Sequence, residues 1–239
     1  MTIMRLKSMS AWNDWFMFFN SDLCYLQKNE LSKMQSKWDV YWRNTRSLED
    51  TSPYAKWLRC QRLQILSKIL SNVPRDFSVL DVGCGSGESL LFMRKLGFLN
   101  SIGIDFSTES IKLCIKNGLV EGKDVYRMDA EHTNFADKSF DIVHEEGVWE
   151  HFSDCRNIIR ENARICNVAI FALQPNHFSP IGAALKFGGL LFRKSMREYS
   201  YFLSYYTKIL DGLGFELLTT KYTLFREQAW LIYGRREDE

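Results

Sequence analysis

Val79-Leu-Asp-Val-Gly-Cys-Gly-Ser-Gly87 decides the fold. A short apolar strand, Ser78 to Val82, runs into glycines at every second position, and a helical pattern from Ser86 to Leu96 follows at once. Glycines at such a turn permit positive φ and let a ligand approach the backbone, beside the free N–H groups of a helix start. Ligands of open α/β sheets sit at these carboxyl ends of strands. Taken alone, the loop also reads as an ordinary tight βα turn.

Downstream, strand and helix signals alternate. Ser101 to Asp105 is a strand ending in an acid, and Thr108 to Asn117 a helix closed by Gly118. Asp124 to Met128 and Phe140 to His144 are further strands, and a helix from about Asp154 to Arg164 leads into the strand Asn167 to Leu173. A helix from Tyr201 to Leu210 precedes two closing strands, Phe215 to Lys221 and Gln228 to Tyr233. Repeated β-α-β units with nearly continuous apolar strands predict a parallel sheet covered on both faces. Upstream of residue 75 the chain is helical in pattern and holds Trp12, Trp15, Trp38, Trp42 and Trp57, five of the seven tryptophans. Ser52-Pro53 breaks it, and Tyr54 to Leu70 then repeats with a period near 3.6 through Leu58, Arg62, Ile65 and Ile69.

Composition sets the limits. In 239 residues, 46% are hydrophobic and 25% charged, which excludes a disordered chain. Thirty-one Lys and Arg against 29 Asp and Glu leave a formal charge of +2, too little for a protein that coats nucleic acid. The six cysteines form no C-x-x-C pair, so neither a zinc site nor a disulfide framework is expected, and the thiols suit a reducing, cytoplasmic setting. The four histidines are scattered without metal-ligand spacing. The first residues carry an aromatic run interrupted by Asp14 and lack a small-residue cleavage site, unlike a signal peptide. Ile165 to Leu185 is uncharged but contains Pro175, Pro180, Asn167, Gln174, Asn176 and His177, too polar and broken for a membrane span.

Three acids around the loop specify the ligand. The spacing is G-x-G-x-G, not the G-x-G-x-x-G of dinucleotide folds, and Asp81 stands just before it, where it would repel a pyrophosphate and welcome an ammonium. Asp105 lies at the distance where an acid holds the two hydroxyls of a ribose. A third acid follows the third strand in Met128-Asp-Ala-Glu131, suited to accept from an adenine amino group. One ammonium, one ribose and one adenine describe S-adenosylmethionine.

From Asn72 to Tyr233 the sequence resembles the class I S-adenosylmethionine-dependent methyltransferases, in their small-molecule branch. The glycine loop resembles the family's first motif, Ile-Gly-Ile-Asp-Phe-Ser107 its acidic second-strand end, Met-Asp-Ala-Glu131 its adenine loop, and Ser139-Phe-Asp-Ile-Val-His-Glu-Glu-Gly-Val-Trp-Glu-His151 its fourth-strand segment. The resemblance implies a Rossmann-like α/β fold: a seven-stranded, mostly parallel sheet with helices on both faces, its last strand inserted antiparallel. It implies residues 72–239 as the cofactor-binding domain, with 1–71 as a helical N-terminal cap and 174–200 covering the substrate pocket, although 174–200 also reads as a plain surface crossover. Gly83, Cys84, Gly85 and Gly87 would line the cofactor above Asp81, with Asp105 at the ribose, Asp129 and Ala130 at the adenine, Glu146 and Gly147 near the methionine part, and Phe106 also binding the cofactor. Glu145-Glu146 departs from the small or amide residues common there.

Methyl transfer from a sulfonium needs alignment and, for an OH or NH acceptor, removal of a proton. His151 follows the fourth strand and is the first candidate base, unless it merely packs the next helix; His177 is the second. His144 reads as structural within its strand, and His132 as exposed in the adenine loop. Tyr199, Tyr201, Tyr205 and Tyr206 shape either an acceptor pocket or core. The N-terminal tryptophans are either packing across the sheet or a lid, with Tyr41, Tyr54 or Arg59 reaching the cofactor, and Trp12 to Phe19 could dock on a partner. The expected partner is a small-molecule methyl acceptor. A tRNA or protein substrate, or a non-catalytic binder, are the rival readings; no RNA-binding module or Asn/Asp-Pro-Pro-Tyr motif supports the first, and intact Asp81 and Asp105 oppose the last.

Overall fold

The computed structural model describes residues 28–44, 53–184, 187 and 198–237. The aromatic run from Trp12 to Phe19 and most of residues 185–200, expected to be either a substrate cover or a surface crossover, lie outside them. Two helices, α1 (Lys28–Asn44) and α2 (Pro53–Leu70), precede the sheet. Then follow β1 (Val79–Val82), α3 (Glu88–Lys95), β2 (Ser101–Asp105), α4 (Thr108–Lys116), β3 (Val125–Arg127) and β4 (Phe140–Glu146). A 3₁₀ turn, Trp149–His151, leads to α5 (Arg156–Ile165), β5 (Cys166–Pro175), α6 (Leu203–Asp211), β6 (Phe215–Tyr222) and β7 (Gln228–Arg235).

The seven strands form one sheet in the order β3-β2-β1-β4-β5-β7-β6. The first five run parallel, and β7 inserts antiparallel between β5 and β6, as expected. Strand order reverses beside β1, so the switch point falls at the glycine loop.

Side chains alternate between the two faces of each strand. Leu80, Val82, Val143, Ile170, Ala172, Leu231 and Tyr233 point to one face and pack against Ile158, Ile159 and Ala163 of α5 and Tyr206 and Leu210 of α6. Val79, Ile142, Phe171, Leu173, Trp230 and Ile232 point to the other, under Leu66 and Leu70 of α2 and Met93 of α3. Tyr206 is thereby core rather than pocket wall. Leu90, Ile111, Cys114 and Leu119 join α3 and α4 beside Cys84 and Val125.

Period two and register together put polar residues on the second face. Asp81 of β1 is paired with His144 of β4 across the parallel ladder, and Glu146 lies two residues further along the same face. These three therefore emerge at the carboxyl edge beneath α2 and α3.

Candidate functional site

The glycine loop ends β1 with Gly83, Gly85 and Gly87 at φ 65, 54 and 77°, a region that a side chain rarely adopts. Close packing adds a second requirement: a Cβ on Gly83 would stand 2.6 Å from Val148, and one on Gly85 2.7 Å from the Trp42 ring. The loop is tied down from α4, where Ser110 Oγ donates to the Gly85 carbonyl at 2.6 Å and Asn117 Nδ2 to the Ser86 carbonyl at 3.0 Å.

A cavity of about 200 Å³ opens above this loop. Its floor is Asp81, Gly83, Cys84, Gly85, Asp105, Phe106, Asp129, Ala130, Glu146 and Gly147, with His151 at the rim. Every site residue expected from the sequence lines it except Gly87. Gly87 is instead the N-cap of α3, and a Cβ there would collide with Leu119, so its demand is one of packing and backbone.

Asp105 is buried; its Oδ2 accepts from Gly85 N at 3.0 Å and its Oδ1 from Ser107 N at 2.8 Å. Burial outweighs those bonds and pushes its carboxyl up to about 6. Ser107 also N-caps α4, accepting from Ser110 N at 3.2 Å.

Asp81 Oδ1 meets His144 Nδ1 at 2.8 Å, while Asp81 Oδ2 is buried without a hydrogen-bond partner among the described residues. His144 Nε2 stands 3.4 Å from Glu146 Oε1, long for a hydrogen bond but close for an ion pair. Glu146 in turn accepts from Ser89 Oγ at 2.7 Å and pairs with Arg62 Nη1 of α2 at 3.2 Å. Arg62 Nε is buried and unpartnered among the described residues. Burial pulls the imidazole of His144 down, but the flanking carboxylates of Asp81 and Glu146 outweigh it and lift it to about 10. For Glu146, burial is outweighed by Arg62, His144 and Ser89, which hold its carboxyl down to about 2. Glu145 faces the opposite side, accepting from Val148 N at 3.0 Å and Gln174 Nε2 at 2.5 Å, and burial pushes it up to about 8.

The roof comes from the cap. Met34, Trp38 and Trp42, each four residues apart on α1, face the cavity, and Arg62 enters from α2. Trp38 and Trp42 stack at 6.3 Å, and Trp38 stands edge-on to His151 at 4.8 Å. Asp39 fastens α1 to α4, accepting from Ser107 Oγ at 2.6 Å and Glu109 N at 3.3 Å.

Several sequence expectations fall elsewhere. Arg59 pairs with Glu88 at 3.1 Å and is not in the cavity wall; Arg62, one turn on, takes that position. Tyr41 is exposed, and the Tyr54 hydroxyl donates to Glu227 at 3.4 Å. His177 lies away from the cavity, between Ser200 Oγ at 3.1 Å and Glu198 at 3.3 Å. His132 is exposed. Tyr201 donates to the carbonyls of Phe152 and Ser153, behind the rim. Among the described residues no group of three His, Cys, Asp or Glu is arranged to hold a metal ion, and no helix is long and apolar enough to cross a membrane.

Residues 80–168 match the family model described as a methyltransferase domain. Over 88 residues the chain is 34% identical to a phthiotriol/phenolphthiotriol dimycocerosates methyltransferase of Mycobacterium tuberculosis, a match over 36% of this chain and 33% of that protein. Over 164 residues it is 28% identical to a demethylmenaquinone methyltransferase of Thermotoga maritima, covering 66% of this chain and 62% of the relative. The matches thus span about a third to under two thirds of the curated relatives' lengths. In fold, the chain is similar to the magnesium protoporphyrin IX methyltransferase of Synechocystis solved with bound S-adenosylhomocysteine, with a TM-score of 0.66 at 20% identity over 87% of this chain and 100% of that one. Sheet order, glycine loop and family match agree: residues 80–168 match a methyltransferase domain, and they sit on a fold similar to that of a methyltransferase solved with S-adenosylhomocysteine.

Proposed function

We propose that the chain transfers a methyl group from S-adenosylmethionine to an O, N or C atom of a small molecule. The observation that carries this reading is the buried Asp81 Oδ2, unpartnered among the described residues, in one cavity with Gly83, Asp105 and Asp129. A buried carboxylate oxygen without a donor is costly, and an ammonium group would satisfy it. Arg62, with its Nε free among the described residues, is the matching cation for the cofactor's carboxylate. Asp105 would take the ribose hydroxyls, Phe106 and Ala130 would sandwich the adenine, and Asp129 would accept from its amino group. Cys84 and Gly147 would contribute wall rather than charge.

When bound, S-adenosylmethionine supplies a methyl already activated by its sulfonium. The residues of the chain then align the acceptor and exclude water. His151, at the rim and held edge-on by Trp38, would take the proton from an acceptor hydroxyl or amine. The cavity is smaller than the ~300–1,000 Å³ usual for ligand pockets, and Trp42 lies on the loop face that the glycines leave open. We therefore assign α1 as a cover that shifts to admit the cofactor, and α2, with Leu66 and Leu70 in the sheet core, as the fixed part of the cap. The names of two relatives, a demethylmenaquinone methyltransferase and a phthiotriol/phenolphthiotriol dimycocerosates methyltransferase, support a small-molecule acceptor.

Calorimetry tests the reading. S-adenosylmethionine and S-adenosylhomocysteine should bind and NAD should not; binding of NAD without response to the adenosyl compounds would overturn it.

A further inference from the structure

Asp81 and Glu146 approach one imidazole from opposite sides, at 2.8 Å on Nδ1 and 3.4 Å on Nε2 of His144. A neutral ring carries a single N–H and would turn a lone pair on one of these carboxylates. Facing a buried anion with a lone pair is costly, whereas an imidazolium donates from Nδ1 to Asp81 and sets the positive charge of its second N–H against Glu146, where Nε2 stands at ion-pair distance without a hydrogen bond. The groups around the ring are Asp81 from β1, Glu145 and Glu146 from β4, and the Trp230 ring of β7 at 5.5 Å. Arg62 from α2 and Ser89 from α3 reach Glu146 rather than the imidazole. With the ring charged, Asp81, His144, Glu146 and Arg62 form a line of alternating sign, from the oxygen left bare on Asp81 to the nitrogen left bare on Arg62.

We propose that His144 is a positioning residue whose imidazolium orients both ends of a zwitterion receptor. It fixes Asp81 through Oδ1 so that Oδ2 meets an ammonium, and it fixes Glu146 so that Arg62 meets a carboxylate. The assignment rests on the cofactor reading above and adds that the cofactor's amino-acid end is read through this ring. It also gives the carboxylate at position 146 a role: Glu146 anchors Arg62 and His144. The ring's elevated affinity for its proton is in keeping with this, and cofactor binding should hold steady across neutral pH and weaken only as the imidazolium is lost in strong base.

Two ligands separate this role from a merely structural one. S-adenosylhomocysteine carries the amino-acid end; methylthioadenosine keeps adenine, ribose and sulfur but lacks it. For His144→Gln, calorimetry at neutral pH should show about a tenfold or greater loss of affinity for S-adenosylhomocysteine, the scale of one charge-assisted bond, and less than about a twofold change for methylthioadenosine. Equal losses of both ligands, or no loss of either, overturn the assignment. Should His144→Gln not fold, the ¹⁵N-histidine spectrum of the wild-type protein decides: a ring with both nitrogens protonated at about pH 8 supports it, and a neutral ring overturns it. Wild-type protein that binds neither ligand overturns the cofactor reading, and this assignment with it; altered selectivity absent in the variant alone overturns only the role of His144.

Discussion

The floor of the cavity is made by the ends of β1, β2, β3 and β4, and its roof by α1 and α2. On the floor, strand register places each acid: Asp81 and His144 are ladder partners, and Asp105 ends the neighbouring strand. Displacing one would mean slipping a fully buried strand, which turns its apolar residues out of the core. The two helices of the roof are held differently. α2 buries Leu66 and Leu70 in the sheet core, whereas α1 is fastened by Asp39 and an exposed Arg43–Glu109 pair at 3.5 Å, with Trp42 resting on Gly85. Few buried apolar contacts and polar tethers describe an element that opens at low cost. The proposed division of labour, a floor for recognition under a more loosely tied roof for entry, is what the following experiments probe.

His151 is where the two regions meet, on the turn after β4 and against Trp38. If the floor positions the base, His151→Ala should lower kcat by about 10²–10⁴ and leave cofactor affinity near wild type. The measurement needs an acceptor with a hydroxyl or amine, found first by screening for S-adenosylhomocysteine release. Retained activity from about pH 6 to 9 on such an acceptor would reduce His151 to a packing residue for the roof.

Asp105→Ala tests the floor alone. Charge-assisted bonds to two ribose hydroxyls are each worth about 1.5–3 kcal/mol, so affinity for S-adenosylhomocysteine should fall about tenfold or more. The carboxylate also holds Gly85 N and Ser107 N, so a modest fall in Tm should accompany the loss. Unchanged affinity with a normal transition would move the ribose away from β2.

A smaller effect tells how strained the floor is. Glu145 is raised from 4.5 to about 8, and Asp105 from 3.8 to about 6, each chiefly by burial. A carboxyl whose folded value lies above its unfolded value keeps its proton where the unfolded chain has released it. Stability from these groups is therefore full at low pH and is lost as pH rises, through about 6 for Asp105 and about 8 for Glu145. Glu145→Gln removes the second fall while preserving a partner for Val148 N and Gln174. Between about pH 6 and 8 the wild-type Tm should drop by several degrees more than that of the variant, at roughly 2–4 °C per kcal/mol for a chain of this size. Parallel curves would mean that Glu145 ionises without penalty.

The floor was legible in the sequence because its signals are local: an apolar run, glycines at alternate positions and an acid at each of three strand ends. Strand edges moved by one or two residues, as β4 did in extending from His144 to Glu146. The roof was legible only as one of two readings, packing or lid, and not in the residues that form it. Met34, Trp38 and Trp42 recur every four residues, a stripe that marks a helix face without saying what it covers. Arg59 and Arg62 lie three apart on α2, and only the register of that helix over α3 decides that Arg59 meets Glu88 and Arg62 meets Glu146. The partnership of Asp81 with His144 is likewise a matter of strand register across 63 residues of chain, which no local pattern encodes. His144 therefore reads as structural from the sequence, and only its i, i+2 spacing from Glu146 puts the two on one strand face.

The smallest effect belongs to the tether of the roof. Asp39 accepts from Ser107 Oγ and Glu109 N, both at the start of α4, and contributes nothing to the cavity wall. Asp39→Ala should leave the sheet intact and loosen α1, which keeps its stacked tryptophans and the exposed, solvent-screened Arg43–Glu109 pair. A looser cover admits and releases ligand faster, so both rate constants for S-adenosylhomocysteine should rise together, each by roughly three- to tenfold, the scale of a hydrogen bond of about 1 kcal/mol. Their ratio should change by less than about threefold, because the floor that carries recognition is untouched. Stopped-flow tryptophan fluorescence reads both constants, with Trp38 and Trp42 as reporters beside the loop. Rates equal to wild type would mean that α1 does not gate entry. A fall in affinity driven by the off-rate alone would make α1 part of the recognition surface, and the separation of floor from roof would not hold.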